Sequence, residues 1–176
     1  NLTYANISGI PALGIPPIEP MKIKSVVVNT AGATSAFNLV SSFTDSEIHG
    51  LSTSKLIRTA AKFKKFAMKS DAYTKRMDFV GQYTMNGQIL VLPIKGEGFA
   101  NVSMNELTTR HELQGEYYKG DDQNTYVNIT MYKIKFKPKW VTFRFDNLFN
   151  GDKLLGETMN KFMNDNWEPV FNGEKE

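Results

Sequence analysis

Apolar residues alternate with polar ones through much of this chain, and the alternation gives way to a helical period only near its end. Strand signals begin at Met21-Lys-Ile-Lys and continue through Val26-Val-Val. Side chains of a strand point alternately to opposite sides, so Phe37, Leu39 and Phe43 share one face of the run Phe37–Phe43. The segment Thr84–Ile94 reads as a single central strand. Tyr83, Met85 and Ile89 occupy one face and Thr84, Asn86 and Gln88 the other, before Ile89-Leu-Val-Leu turns apolar on both. Such a strand, wet early and covered later, fits a curved sheet wrapping something. Gly96 and Gly98 are expected to mark a turn after it. Ile134 and Phe136 then alternate with lysines, which puts the apolar pair inside. Val141, Phe143 and Phe145 repeat the pattern against Thr142 and Arg144.

From Asp152 to Trp167 the period changes. Leu154, Leu155, Met159, Phe162, Met163 and Trp167 follow one stripe of a helix, with Asp152 suited to the N-cap and Pro169 to the stop. Upstream, Pro11, Pro16, Pro17 and Pro20 exclude a helix through Gly9–Pro20. Ile10, Leu13, Ile15 and Ile18 there are expected to dock a strand-like lead-in. The pattern predicts an α+β domain, richer in strand than in helix, with one dominant helix near 152–168.

Composition narrows the function more than the fold. The chain has 176 residues, 41% hydrophobic and 22% charged, enough for a core without metal or disulfide staples. Its net charge of +3 is spread thinly, with no concentrated stripe for phosphates, so no nucleic-acid partner is expected. The densest basic cluster, Lys62, Lys64, Lys65 and Lys69 around Phe63 and Phe66, reads as a solvated helix or edge strand. There is no cysteine. Asn1, Asn6, Asn101 and Asn128 open Asn-x-Ser/Thr sequons, a pattern that favours secretion.

Candidate chemistry is sparse. His49 and His111 have no local partner at metal or triad spacing, and Ser52 lacks the glycine frame of a nucleophile elbow. Asp121-Asp122-Gln-Asn124 reads as a hairpin loop. Asp146, Asn150, Gly151 and Glu157 fall at calcium-loop positions, but Leu148 stands where an oxygen ligand is needed, so a strand-to-helix corner fits better. No catalytic residue, metal or cofactor is expected. What remains is apolar surface: Phe37, Leu39, Met85, Ile89, Val91, Ile134, Phe136, Val141, Phe143 and Phe145 from strands, and Leu155, Met159, Phe162 and Met163 from the helix. These residues form either a packed core or the lining of a partly hollow one.

Three blocks carry a resemblance: Gly9–Pro20, Gly81–Gly96 and, most specific, Asp146–Gly156 continued by Met159–Trp167. Together they resemble the insect takeout and juvenile-hormone-binding family, in the family's order and over nearly the whole chain. The resemblance implies a tubular lipid-binding fold of the BPI-like half-barrel type: a strongly curved antiparallel sheet wrapped around a long amphipathic helix, with an apolar tunnel between. It implies a secreted, non-enzymatic carrier of juvenile hormone, a terpenoid, a fatty acid or a similar lipid, lined by the apolar residues just named. The expected protein is a monomer that touches membranes at most transiently. Residues 1–176 are expected to form one such domain without the family's N- and C-terminal extensions and without its usual cysteine pair. The competing reading is an extracellular interaction module with the same fold and a filled core, using Phe63, Phe66 and the lysines around them.

Overall fold

The computed structural model describes residues 9, 16–29, 37–89 and 92–172, with the side chain of Phe37 outside that description. Its strands are β1 (Met21–Asn29), β2 (Phe37–His49), β3 (Lys55–Lys62), β4 (Phe66–Ile89), β5 (Leu92–Lys119), β6 (Thr125–Lys137) and β7 (Trp140–Phe145). Two helices follow, α1 (Lys153–Asp165) and α2 (Trp167–Asn172). All pairings are antiparallel, in the order β1-β2-β4-β5-β6, with β3 added beside β4 and β7 beside β5.

The spine is the β4–β5 hairpin, paired from Phe66↔Gly115 to Ile89↔Leu92. β2 covers the second half of β4 and β3 the first half; β7 and β6 divide β5 in the same way. The sheet therefore has a β7 half and a β6 half. Register slips at Thr44/Glu47, Leu56/Arg58 and Gln114/Gly115 mark bulges, which add twist and bend an open sheet. The product is a curved, unclosed half-barrel with its helices against β7.

Three sequence expectations change here. Thr84–Ile94 is not one strand: Ile89 pairs with Leu92, so the chain reverses there. An apolar run at a hairpin tip gives the same pattern as a doubly covered strand. Gly96 and Gly98 are not a turn but lie inside β5, opposite Met85 and Tyr83. A Cβ on Gly96 would stand 2.6 Å from the Tyr83 hydroxyl and 3.0 Å from Leu148 Cδ2. Gly96 thus clears room for Tyr83, whose ring meets Phe145 edge-on at 4.9 Å, and Gly98 does so for the Asp146 carbonyl. Pro169 does not stop the helix. It lies in the first turn of α2, where its missing N–H costs no intrahelical bond.

Asp152 does cap α1, its carboxylate accepting from the Leu155 N–H at 3.0 Å. Met159 and Met163 are buried and Phe162 half-buried, whereas Leu155 is 49% exposed, a correction to the predicted stripe. The apolar arc is narrower than predicted because Asn160 and Asn164 face the sheet edge. Asn160 accepts from the Phe145 N–H and donates to its carbonyl, both at 2.9 Å. Asn164 does the same for Phe143 at 2.8 Å. Four residues of helix rise ~6 Å and two residues of strand ~6.6 Å, so the amides fit successive free peptides of β7. The helix thus closes an edge that would otherwise be open to pairing.

Candidate functional site

In the β7 half the apolar face is full. Met85, Ile89, Val141, Phe143, Phe145, Met159 and Met163 share one buried cluster with Tyr83, Met104 and Leu148. Leu39 and Phe162 pack against it from the rim. Met163 is 1% exposed, so side chains occupy the space beside the helix that a tunnel would need. Val91 and the Phe37 side chain lie outside the described residues.

The β6 half differs. Glu106, with φ 48°, interrupts the alternation of β5, and Leu107 continues the buried row begun by Met104. The register then aligns Met68, Leu113 and Tyr132, next Ser70, His111 and Ile134, next Ala72, Thr109 and Phe136. No Lys, Arg, Asp or Glu occupies these positions. The alternate positions carry the charge. Asp71 bonds Arg58 at 2.6 Å and Arg110 at 2.8 Å, Lys69 pairs with Glu112 at 3.2 Å, and Tyr73 donates to Glu106 at 2.7 Å. The Arg110 hydrogen bond, reinforced by Arg58, holds the Asp71 carboxyl down at about 2. One face is thus apolar and the other ionic.

Ile134 and Phe136 have the predicted phase but are 37% and 39% exposed. No described helix covers them, which corrects their placement in the interior. Among the described residues they form an open apolar shelf on the same face as buried Leu107.

Within the shelf lies a polar chain. His111 Nε2 is 3.0 Å from Thr109 Oγ1, its Nδ1 is 2.7 Å from the Tyr132 hydroxyl, and the two rings stack. Burial pushes the His111 pKa down, against the pull of Asp71. Burial also raises the Tyr132 phenol. Sequence reasoning saw no partner for His111 because its partner comes from the neighbouring strand.

The remaining sequence candidates fall elsewhere. Leu148, at the calcium-loop position, is buried in the core, and the described residues contain no cluster of three metal ligands. A groove of about 960 Å³ between α1 and β7 has a mixed lining, with Arg144, Asp152, Glu157 and Asn160 beside Phe143, Phe145 and Leu148. Asn128 is exposed on β6, Asn101 is half-buried with its side-chain oxygen accepting from Ser103, and Asn1 and Asn6 lie outside the described residues. No described helix is long and apolar enough to cross a membrane.

A family model described as Haemolymph juvenile hormone binding protein (JHBP) matches residues 2–176. The chain belongs to this family. Its fold is that of Takeout 1 from Epiphyas postvittana, with a TM-score of 0.83 at 24% identity, over 98% of this chain and 78% of that one. It is 29% identical over 167 residues to the Circadian clock-controlled protein daywake of Drosophila yakuba, and 27% identical over 168 residues to that of Drosophila melanogaster. These matches take in 92% and 93% of this chain, but only 64% and 65% of those relatives' lengths.

Proposed function

We propose that this family member is a secreted, non-enzymatic carrier that holds a small hydrophobic ligand against the apolar face of its sheet. The observation that carries the reading is the β6 half: an apolar shelf left open beside a packed core, backed by a face that holds the charges. Ligand sites are usually concave and mostly apolar with few polar groups. The family description adds juvenile hormone as a ligand candidate. The protein acts as a monomer, and membrane contact is transient, during loading and release.

The test is saturable binding of the neutral apolar dye N-phenyl-1-naphthylamine, compared between two variants. Phe136→Lys alters the shelf and should cut dye affinity with little loss of stability. Met163→Trp overpacks the filled half and should cost ~1–3 kcal/mol while dye still binds the folded fraction. A wild type that binds no dye would defeat the carrier reading. It would favour the interaction module instead, for which Phe63 is the supporting observation: it is 73% exposed at the β3–β4 turn between Lys62 and Lys64.

A further inference from the structure

We propose that the exposed edge of β3, with the turn that follows it, docks the protein on anionic lipid surfaces. The inference rests on the carrier reading and gives its transient membrane contact a defined surface and a lipid charge.

β3 lies at the opposite border of the β6 half from β6, and among the described residues it pairs only with β4. Its register carries the rows of the shelf outward: Leu56 stands beside Ala72, Thr59 beside Ser70 and Ala61 beside Met68. The strand is therefore the rim of the shelf, and a bilayer against it would face the open apolar surface. Leu56, Ile57 and, at the turn, Phe63 are 67%, 57% and 73% exposed. The base of the turn is anchored, with the Phe66 ring edge-on to Tyr117 at 6.4 Å, while Phe63 is left outside.

Charge identifies what this edge meets. From Ile48 to Ser70 the chain has no acidic residue and carries Lys55, Arg58, Lys62, Lys64, Lys65 and Lys69. Asp71 takes Arg58, and Glu112 takes Lys69. Lys55, Lys62, Lys64 and Lys65 have no ion-pair partner among the described residues. Glu116, Asp121 and Asp122 belong to the β5–β6 hairpin, at least two strand spacings or ~10 Å from β3, about one Debye length in physiological salt. Lysine on an edge strand also guards against strand pairing, but exposed Leu56, Ile57 and Phe63 work against that purpose. Apolar side chains flanked by unpaired lysines suit a bilayer interface, where the stems and the ring enter and the ammonium groups stay with anionic head groups. A strand edge and a turn offer too little area for a stable protein interface, which needs ~1,000 Å² or more. Two copies paired through β3 would set these lysines against one another.

The experiment is flotation with phosphatidylcholine vesicles, with and without phosphatidylserine, at about 0.1 M and about 1 M salt, between which the Debye length falls from ~10 to ~3 Å. Wild type should float only with the phosphatidylserine vesicles, and only at the lower salt. Lys62→Gln/Lys64→Gln/Lys65→Gln should weaken binding about 5-fold per lysine, ~100-fold in all. Phe63→Ala should weaken it several-fold. The charge-matched control Lys133→Gln/Lys135→Gln/Lys137→Gln, on the outward face of β6, should lose less than the ~5-fold of a single docking lysine. Affinity for N-phenyl-1-naphthylamine should be unchanged in all of them. Equal loss in the two triple variants would mean that net charge and no particular edge attracts the vesicles, and overturns the proposal. Wild type that ignores phosphatidylserine overturns it too and returns Phe63 to a protein partner. So does a dimer that Phe63→Ala dissociates. Dye binding that survives these results keeps the carrier reading, whereas vesicle binding by a wild type that takes up no dye would defeat that reading alone.

Discussion

Asn164 shows how much a single polar side chain can hold. Its amide pairs with both the N–H and the carbonyl of Phe143. Asn164→Leu leaves these half-buried peptide groups unpaired, and each such group costs about 1–3 kcal/mol. The expected loss is therefore about 2 kcal/mol or more in urea melts, and a change under ~0.5 kcal/mol would show that water replaces the amide. Gly96 makes a complementary case. Gly96→Ala places a methyl 2.6 Å from the Tyr83 hydroxyl, which donates to the Asp146 carbonyl at 2.7 Å. Either that bond or the Leu148 contact must yield, at ~1–3 kcal/mol. If Gly96 were a simple turn residue, as its sequence suggested, the melt would barely move.

At the scale of elements, the outward face of β3–β4–β5 is held by ions and the inward face by nothing comparable. Asp71 titrates at about 2 in the folded chain, first through Arg110 and then through Arg58. An unfolded aspartate titrates near ~3.9. The folded value is the lower one, so the stabilisation is complete above about pH 4 and disappears as pH falls through about 2. Melts of wild type and Asp71→Asn should differ by a constant amount above that window and converge within it. A gap that persists at about pH 2 would mean that the asparagine disturbs packing and not charge. The same strands show what periodicity conveys. The alternation of Ile134 and Phe136 with lysines assigns their face correctly, because register preserves phase across neighbours. It does not say whether anything covers that face.

For the whole molecule, the two halves make different demands. The β7 half is a core, and substitutions there should act on stability. The β6 half is a shelf, and substitutions there should act on binding. Ile134→Lys, on the shelf, should reduce dye affinity several-fold while the melt stays within ~0.5 kcal/mol, the usual range for surface changes. Val141→Ala, in the core, should cost about 1–2 kcal/mol and leave dye affinity alone, since Val141 is 1% exposed. Reversal of that pattern would mean that the ligand sits beside the helix, as the family resemblance implied.

The strands at Met21–Val28, Phe37–Phe43, Tyr132–Lys137 and Val141–Phe145, the helix N-cap at Asp152, the loop at Asp121–Asn124 and the inward phase of Phe143, Phe145, Met159 and Met163 were legible in the chain. Each follows from local periodicity or from a turn residue acting on its own neighbours. The family resemblance carried the curved half-barrel as well. The tertiary structure decided the rest. The reversal after Ile89, the burial of Gly96 and the fit of Asn160 and Asn164 onto β7 all depend on which strand lies alongside. The joining of His111 to Tyr132 depends on the β5–β6 register, which brings together residues twenty-one positions apart. Whether an apolar face is core or open shelf is set by what packs across it. One-dimensional patterns record which way a side chain points, and only the assembled layers determine what it meets there.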